Sequence, residues 1–234
     1  MPSERFFVDD ELDVGTMVFV EGPELHHLAH VMRVKKEEVI ELVNGRGTLA
    51  KGKVVSIEKR QAELEVLSCE KHPVEKAQLI LGVPLMRPAK LEWVVEKGTE
   101  LGADAFWIYP AEGSEKERLS ENQMERLKTI EVAAMKQSGR LDLPTLKVLD
   151  SFEELFQGAA MILFGDPRPE AAFIWDEPFG PDRPIVFVTG PEKGFSKNEL
   201  KELEKKGKGV RIHKNILRAE TAPIAALALL YSQL

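Results

Sequence analysis

The sequence is poor in cysteine and has no long hydrophobic run, and both shortages limit what the chain can be. A single cysteine, Cys69, among 234 residues excludes an intramolecular disulfide and is typical of a reducing compartment. The longest apolar stretch, residues 223–230, is far short of the ~20 residues that a membrane span needs. The first residues are polar and lack the charged and then apolar order of a signal peptide. We therefore expect a cytoplasmic protein without a membrane anchor.

The chain is also short of positive charge. Its formal net charge of −7 argues against a protein that coats nucleic acid by bulk electrostatics. An enzyme that acts on nucleic acid stays possible, because it needs only a local basic strip. Basic residues group at 33–36, at 46–53 and at 136–140, although scattered solvated charge explains each group taken alone equally well.

Two nucleotide-binding patterns and a complete metal-ligand pattern are missing. Neither the P-loop pattern G-x-x-x-x-G-K-[ST] nor the dinucleotide pattern G-x-G-x-x-G occurs, so ATP, GTP and NAD are unsupported as ligands. His26, His27 and His30 bring two histidines to one helical face, but no carboxylate or cysteine accompanies them at ligand spacing. We therefore predict no metal site, and a role in packing or capping for these histidines.

What is present divides the chain near residue 72, and we predict two domains, 1–72 and 73–234. The first contains short β-prone runs, a hairpin signal at Asn44-Gly45 and one helix over residues 23–32. Its apolar residues alternate with polar ones along residues 61–66, as on a strand with one wet face. These patterns predict a small β-barrel with one helix.

The second domain alternates strands and helices. Strands are predicted at residues 78–84, 105–110, 160–167 and 184–192, and helices at 88–102, after Ser120, after Ser196 and at 222–234. Ser120 with Gln123 and Ser196 with Glu199 form capping-box patterns. Strongly apolar strands are typical of a parallel sheet that helices cover on both faces. The sequence thus predicts an α/β domain with a mainly parallel sheet.

Three segments are expected to meet at one edge of that sheet, because ligands bind beyond the carboxyl ends of parallel strands. They are residues 163–167, 189–194 and 212–222. Asp166 and Glu192 indicate a hollow that tolerates positive rather than negative charge. S-adenosylmethionine meets that condition, since it carries a sulfonium, an ammonium, one carboxylate and no phosphate. The residues expected to contact it are Leu163, Phe164, Gly165, Thr189, Gly190, Pro191, Glu192, Gly194, Ile212, His213, Asn215, Ile216, Leu217 and Thr221.

The stretch "LRAETA", residues 217–222, directly precedes the last apolar helix. Helix capping explains it in part, with Thr221 as the N-cap and Glu220 favoured by the helix dipole. Capping does not explain Arg218. A cation beside the ligand segments could hold a phosphate or stabilise an anion that develops on a substrate.

These stretches resemble a known family. "GPEKGFSKNE" (190–199) and "ILRAETAPIAAL" (216–227) are similar to the signature of the ribosomal RNA small-subunit (uracil-N3)-methyltransferases, the RsmE family of the SPOUT superfamily. "RFFV" (5–8) and "HHLAHVMR" (26–33) resemble its N-terminal PUA-like domain. "VEKGTELGAD" (95–104) and "AAMKQSGRLDLP" (133–144) resemble its internal motifs. The resemblance runs over nearly the whole chain.

The resemblance implies a PUA-like β-barrel followed by a SPOUT α/β domain whose C-terminal trefoil knot holds the cofactor. It also implies a homodimer with the last helix near the interface. The implied reaction moves a methyl group from S-adenosylmethionine to N3 of a uridine in 16S ribosomal RNA of the small subunit. Arg218 is assigned to the substrate anion or a phosphate, with Glu220 orienting it or accepting the proton. Candidate RNA contacts are Arg5, Arg33, Lys35 and Arg140.

The chain departs from the family's usual pattern at three positions. Lys193 and His213 stand where glycine is usual, and Asn215 stands where arginine is usual. A positive φ at His213 would cost on the order of 1 kcal/mol or more. Two alternatives therefore stay open. One is a non-catalytic RNA-binding or ribosome-assembly protein of the same fold, and the other is a SPOUT methyltransferase that acts on another RNA nucleotide.

Overall fold

The computed structural model describes residues 4–74, 79–114, 118–158, 160–177 and 183–233. Its contacts divide the chain into two compact units. The first unit comprises Met1–Glu75 and Val132–Leu143, and the second comprises Lys76–Glu131 and Pro144–Leu234. The sequence division at residue 72 stays a prediction, and residues 132–143 are a part of the first unit that the sequence did not reveal.

The first unit is built on a five-stranded sheet. Its strands are β1 (Arg5–Phe7), β2 (Met17–Glu21), β3 (Val39–Val43), β4 (Thr48–Ile57) and β5 (Gln61–Lys71), in the order β1-β3-β4-β5-β2. Strand β1 runs parallel to β3, and the other pairs are antiparallel. The predicted helix is α1 (Gly22–His26) continued by a π-helical turn, His27–Val31. Ala62, Leu64 and Val66 are buried on β5, as their alternation predicted.

The predicted hairpin joins β3 to β4, but a side chain closes it rather than a two-residue turn. The Asn44 carboxamide oxygen accepts hydrogen bonds from the backbone N–H groups of Arg46 (3.0 Å) and Thr48 (3.2 Å). Two glycines in this connection have positive φ values, 68° at Gly45 and 86° at Gly47. Only 2.4 Å would separate a Cβ at Gly47 from the carbonyl oxygen of His72, so glycine is required there.

The second unit is built on a six-stranded sheet in which every pair is parallel, as the sequence predicted. Its strands are β6 (Leu79–Pro84), β7 (Ala105–Tyr109), β8 (Thr145–Val148), β9 (Met161–Gly165), β10 (Ile185–Val188) and β11 (Lys208–Val210), in the order β11-β9-β10-β6-β7-β8. The remaining helices of the chain are α2 (Pro88–Glu100), α3 (Glu121–Ser138), α4 (Lys197–Lys206) and α5 (Thr221–Tyr231), and the residues of α3 from 132 onward belong to the first unit.

Burial of the two central strands explains their apolar sequences. Every residue of β6 and β10 is buried, because helices cover both faces of the sheet. The edge strands β8 and β11 are short and more polar, and for that reason the sequence did not reveal them. Both predicted capping boxes form, one at Ser120 and the other at Ser196.

Two details of the helices differ from the sequence prediction. Helix α2 ends at Glu100, so Leu101 of the predicted helix at 88–102 follows its end and is 38% exposed. Helix α5 begins at Thr221, so its N-cap residue is Glu220, which makes no side-chain capping bond. Within the described residues, no helix has the length and hydropathy that a membrane crossing requires. The trefoil knot stays a prediction.

Candidate functional site

A cavity of about 680 Å³ lies at the carboxyl ends of β9 and β10. Its wall is completed by the segment between β11 and α5 and by Lys90 of α2. The volume falls within the range of about 300–1,000 Å³ that is usual for small-molecule sites. The three segments that the sequence placed at one sheet edge therefore line a single cavity.

Most residues predicted to bind the cofactor line this cavity. Those that line it are Gly165, Thr189, Gly190, Pro191, Glu192, Gly194, Ile212, His213, Asn215, Ile216 and Leu217, together with Arg218 and Glu220. Leu163 and Phe164 are instead buried in the core, at 0% and 1% exposure. Thr221 lies in the first turn of α5 outside the lining. On a strand covered on both faces only the last residue reaches the sheet edge, so Gly165 alone represents β9.

The turn after β10 is fixed by one hydrogen bond from a β7 side chain and by another between two of its own backbone groups. The Tyr109 hydroxyl donates to the carbonyl oxygen of Thr189 at 2.6 Å. Burial, with a smaller contribution from Glu199, raises the pKa of Tyr109 well above its ordinary value, so this hydroxyl stays a donor. Gly194, with a φ of 77°, donates its N–H to the carbonyl oxygen of Pro191 at 2.8 Å. The backbone of the turn is therefore held in place beside the cavity.

Lys90 is a cavity residue that the sequence prediction missed. Its ammonium lies 2.7 Å from Glu192 Oε1 and 3.2 Å from Glu220 Oε2. The hydrogen bond to Glu192, more than the pairing with Glu220, raises the pKa of Lys90. Lys90 lies near the start of α2, the helix that follows β6, and β6 is the neighbour of β10 in the sheet. The same strand-end rule, applied to β6, could have identified it.

The ion pairs give Glu220 a partner that the sequence did not predict. Glu220 pairs with Lys90, and within the described residues no ion pair or hydrogen bond joins Glu220 to Arg218. Among the described residues, Arg218 is exposed and its guanidinium makes no ion pair or hydrogen bond. Arg218 therefore faces the cavity as a cation that is available to a ligand.

A second ion pair in the cavity lining joins Asp166 and Arg168, which follow β9. Asp166, 6% exposed, accepts three hydrogen bonds of 2.6–3.0 Å from the Arg168 guanidinium and one of 3.0 Å from the Arg168 backbone N–H. Burial opposes ionisation of Asp166, but these bonds outweigh it and lower its pKa. Arg168 also lies 2.9 Å from Glu204. The sequence indicated Asp166 but not Arg168.

The charge balance of the lining differs from the expectation of a hollow that favours cations. Its acidic residues are Asp166, Glu192 and Glu220, and its basic residues are Lys90, Arg168 and Arg218. With histidine neutral, the three negative and three positive formal charges cancel. The choice of a sulfonium cofactor therefore does not follow from net charge, and it needs the evidence of related proteins.

The departures from the family pattern leave the cavity open. His213 has no positive φ, since Arg33 and Glu37 are the described non-glycine residues that do. Its Nδ1 accepts a hydrogen bond from the backbone N–H of Asn215 at 3.1 Å. Lys193 is exposed and lies outside the cavity lining. Neither substitution strains the backbone or fills the cavity.

The predicted RNA contacts fall into two groups. Arg5 pairs with Glu41 at 3.1 Å and donates to the carbonyl oxygen of Gly139 at 2.9 Å. Arg140 pairs with Asp142 at 2.5 Å. Both guanidinium groups are mostly buried, with side-chain exposures of 13% and 14%. The other two, Arg33 and Lys35, are exposed after the π-helical turn.

His26, His27 and His30 lie on α1 and the π-helical turn, where they make ring contacts. The rings of His26 and His30 lie 5.0 Å apart, and His27 packs 5.5 Å from Phe6 between ring centroids. In the part of the chain that the structure describes, no group of three or more His, Cys, Asp or Glu side chains could hold a metal ion.

The class of the protein is defined by a parallel sheet with a cavity at its strand ends and by a separate β-rich unit in the same chain. A family model described as RNA methyltransferase domain matches residues 73–231, and one described as RNA methyltransferase PUA domain matches residues 20–67. The chain belongs to the RNA methyltransferase family, and it is an enzyme of that family.

Relatives with a more particular description match nearly the whole chain. The ribosomal RNA small subunit methyltransferase E of Bacillus subtilis is 29% identical over 246 residues, which cover 96% of this chain and 94% of the relative. A crystal structure of a protein with that description from Neisseria gonorrhoeae, bound to S-adenosylmethionine, has a TM-score of 0.87 at 26% identity and covers 99% of this chain and 98% of its own. A Legionella pneumophila structure with a TM-score of 0.86 and 22% identity, covering 99% of this chain and 98% of its own, shows the fold alone. The resemblance drawn from the sequence motifs is confirmed.

Proposed function

We propose that the protein transfers a methyl group from S-adenosylmethionine to N3 of a specific uridine in 16S ribosomal RNA. One observation carries the proposal above the others. A cavity of about 680 Å³ lies at the strand ends of a chain that matches, over 99% of its length, a small-subunit methyltransferase E bound to that cofactor. The uridine atom comes from the sequence resemblance.

The cavity offers the groups that an adenosine needs. The glycines at 165 and 190 leave backbone exposed at the two strand ends, and Ile212 and Leu217 supply apolar walls. An adenine is held by such backbone N–H and C=O groups between apolar side chains. We assign the cofactor to the lining formed by the segments after β9, β10 and β11, and we propose that these segments form a trefoil knot.

The reaction asks for one proton acceptor and one group that stabilises an anion. Uridine N3 must lose its proton, after which its lone pair attacks the methyl carbon while the carbon–sulfur bond breaks and S-adenosylhomocysteine leaves. Arg218 is assigned to the developing anion or to a neighbouring phosphate, because its guanidinium is unpaired among the described residues and lines the cavity. Glu220, whose carboxylate lines the same cavity, is the candidate proton acceptor.

The first unit is assigned to the RNA backbone. Arg33 and Lys35 are exposed there and are free to approach phosphates, which fix the register of a nucleic acid. A base within an RNA helix must leave its stack before it can enter an active-site cavity. Arg5 and Arg140 contribute to this surface indirectly, through the ion pairs that hold the unit together.

A homodimer is part of the proposal. Large apolar side chains are exposed on α2 and α5, namely Trp93 at 38% and Tyr231 at 62%, and Leu101 at 38% follows α2. A Cβ at Gly102 would lie 2.8 Å from the Tyr231 ring, so the end of α5 packs beside the end of α2. Light scattering tests it, because Tyr231→Asp should yield monomers if this surface is the interface. We also propose that the enzyme works in the cytoplasm, because its proposed substrate is ribosomal RNA.

Two measurements test the function. Calorimetry should detect S-adenosylmethionine binding with a dissociation constant in the micromolar range, about −8 kcal/mol. Mass spectrometry of 16S ribosomal RNA should show the loss of one N3-methyluridine when the gene is deleted, and its return on complementation. Absence of binding heat would support the non-catalytic alternative. Loss of a different modified nucleotide would support the related methyltransferase instead.

A further inference from the structure

The cations around the cavity are divided unequally among its carboxylates. Arg168 is committed to Asp166 and Glu204, and Lys90 is committed to Glu192 and Glu220. Within the described residues this leaves Arg218 as the arginine of the lining that has no protein partner. Each of the three carboxylates of the lining therefore forms an ion pair with Lys90 or Arg168, and none of these ion pairs involves Arg218.

Among the carboxylates of the lining, Glu220 is the one closest to Arg218 in sequence. The two residues are separated by one position, within a turn in which the carbonyl oxygen of Arg218 accepts from the N–H groups of Thr221 and Ala222, both at 2.9 Å. Both side chains line the same cavity. The Glu220 side chain is only 16% exposed, and a carboxylate so poorly hydrated needs a counter-charge. Lys90, which comes from α2, supplies that charge.

We propose that Lys90 is a positioning residue that keeps Arg218 available to the RNA substrate by occupying Glu220. This inference rests on the proposed function. Lys90 spans the turn after β10, through Glu192, and the segment before α5, through Glu220. When Lys90 is removed, Glu220 forms an ion pair with the guanidinium of Arg218. Arg218 is then no longer available to the substrate.

The test is a double-mutant cycle on methyl transfer and RNA affinity. Single-turnover rates with saturating S-adenosylmethionine, and dissociation constants for a 16S ribosomal RNA fragment, are measured for wild type, Lys90→Met, Arg218→Ala and the double variant. Lys90→Met should lower the transfer rate about tenfold, whereas it should lower the rate less than about twofold in the Arg218→Ala background, because coupled residues are not additive. A merely structural Lys90 would cost the same factor in both backgrounds.

Lys97 provides a matched control on the same helix. It also bridges two glutamates, Glu96 at 2.8 Å and Glu100 at 2.7 Å, but it lies outside the cavity lining. Lys97→Met should leave the transfer rate within about twofold of wild type, since exposed ion pairs contribute little. Lys90→Arg should retain most of the rate, because it preserves the charge that holds Glu220.

The outcomes separate the inference from the function it rests on. The role of Lys90 is overturned if the wild type is active but the losses of transfer rate in the cycle are additive. It is also overturned if Lys90→Met transfers methyl groups at the wild-type rate. If wild type transfers no methyl group to 16S ribosomal RNA, the proposed function fails instead. If Lys90→Met does not fold, as thermal unfolding would show, Lys90→Gln enters the same cycle with the same expected coupling.

Discussion

The two units use their charged residues in different ways. In the first unit, Arg5 and Arg140 are consumed by the ion pairs and hydrogen bonds that fix its loops and strands. In the second unit, Lys90 and Arg168 neutralise the carboxylates of a cavity. Arg218 is the arginine of that cavity left without a protein partner among the described residues. A basic residue can therefore be proposed as a ligand or RNA contact only once its ion-pair and hydrogen-bond partners within the protein are known.

The largest expected effect tests the second unit. Arg218→Ala should lower the methyl-transfer rate by about 10²–10³-fold, the usual loss when one group that stabilises a developing anion is removed. The dissociation constant of S-adenosylmethionine should change by less than about threefold, since the guanidinium is assigned to the substrate. Single-turnover kinetics and calorimetry measure the two quantities. Equal losses in both would assign Arg218 to the cofactor.

The next effect tests how firmly the first unit depends on its turns. Gly47→Ala should destabilise it by about 3 kcal/mol, because a positive φ and an overpacked contact each cost about 1–3 kcal/mol. Its Cβ would lie 2.4 Å from the His72 carbonyl oxygen. Gly15→Ala is the control, since Gly15 has a φ of 84° with no atom within 4 Å of the new Cβ, and it should cost only about 1 kcal/mol.

Hydrogen exchange of the β4 and β5 amides is the appropriate measurement for this pair of variants. Trp93, Trp107 and Trp175 all lie in the second unit, so tryptophan fluorescence would not report on the first. Equal protection in the two alanine variants would show that the contact with His72 relaxes without cost.

The pH dependence of the free energy of unfolding tests the ion pair between Asp166 and Arg168 in the cavity wall. Because Arg168 lowers the folded pKa of Asp166, its charge stabilises the protein above the unfolded pKa of about 4, and that stability is lost as the pH falls through the folded value. Asp166→Asn should therefore cost about 1–3 kcal/mol at pH 7. The difference from wild type should stay constant from about pH 5 to 8 and shrink below about pH 4.

Urea denaturation at each pH measures the difference. Asp176→Asn, at an exposed carboxylate of the same unit, is the control and should change the free energy of unfolding by less than about 0.5 kcal/mol. A cost of Asp166→Asn that persists unchanged at low pH would mean that shape, rather than charge, explains the loss.

The smallest expected effect separates the two groups of arginines in the first unit. Arg33→Ala should reduce the slope of log affinity against log salt for RNA by about 1 while leaving stability within about 0.5 kcal/mol of wild type. Arg5→Ala should do the reverse, because it removes the ion pair with Glu41 and the bond to Gly139. Fluorescence anisotropy across a salt series decides between them. A reduced slope for Arg5→Ala would show that its guanidinium leaves Glu41 to bind RNA.

Local pattern was enough to predict much of the fold. The apolar runs at 79–84 and 185–188 identified central parallel strands, and the capping boxes at Ser120 and Ser196 located two helix starts. The edge strands β8 and β11 escaped because they are short and half-exposed, so their sequences carry no strong period. Residues 132–143 joined the first unit through contacts with residues distant in sequence, such as Gly47 with Leu141.

The position of the candidate site was predicted from the sequence, but the ion pairs among its charged side chains were not. Strand ends at one edge of a parallel sheet follow from topology, so the segments around Gly165, Gly190 and Ile212 could be brought together from the sequence. The pairings of Glu192 and Glu220 could not, because Lys90 lies 102 residues before Glu192 and on a different element. The same limit applied to Arg168, whose bonds neutralise the carboxylate that had suggested a cationic ligand.

The sequence by itself determined the fold class, the sheet edge at which the cavity lies and the family. Periodicity, capping patterns and signature motifs are properties of neighbouring residues, and they need no knowledge of the folded chain. Only the tertiary structure decided which charges neutralise one another and which cation remains open to the cavity. Coulomb energy depends on separation in space and on solvent exposure, and both are set when distant segments pack together.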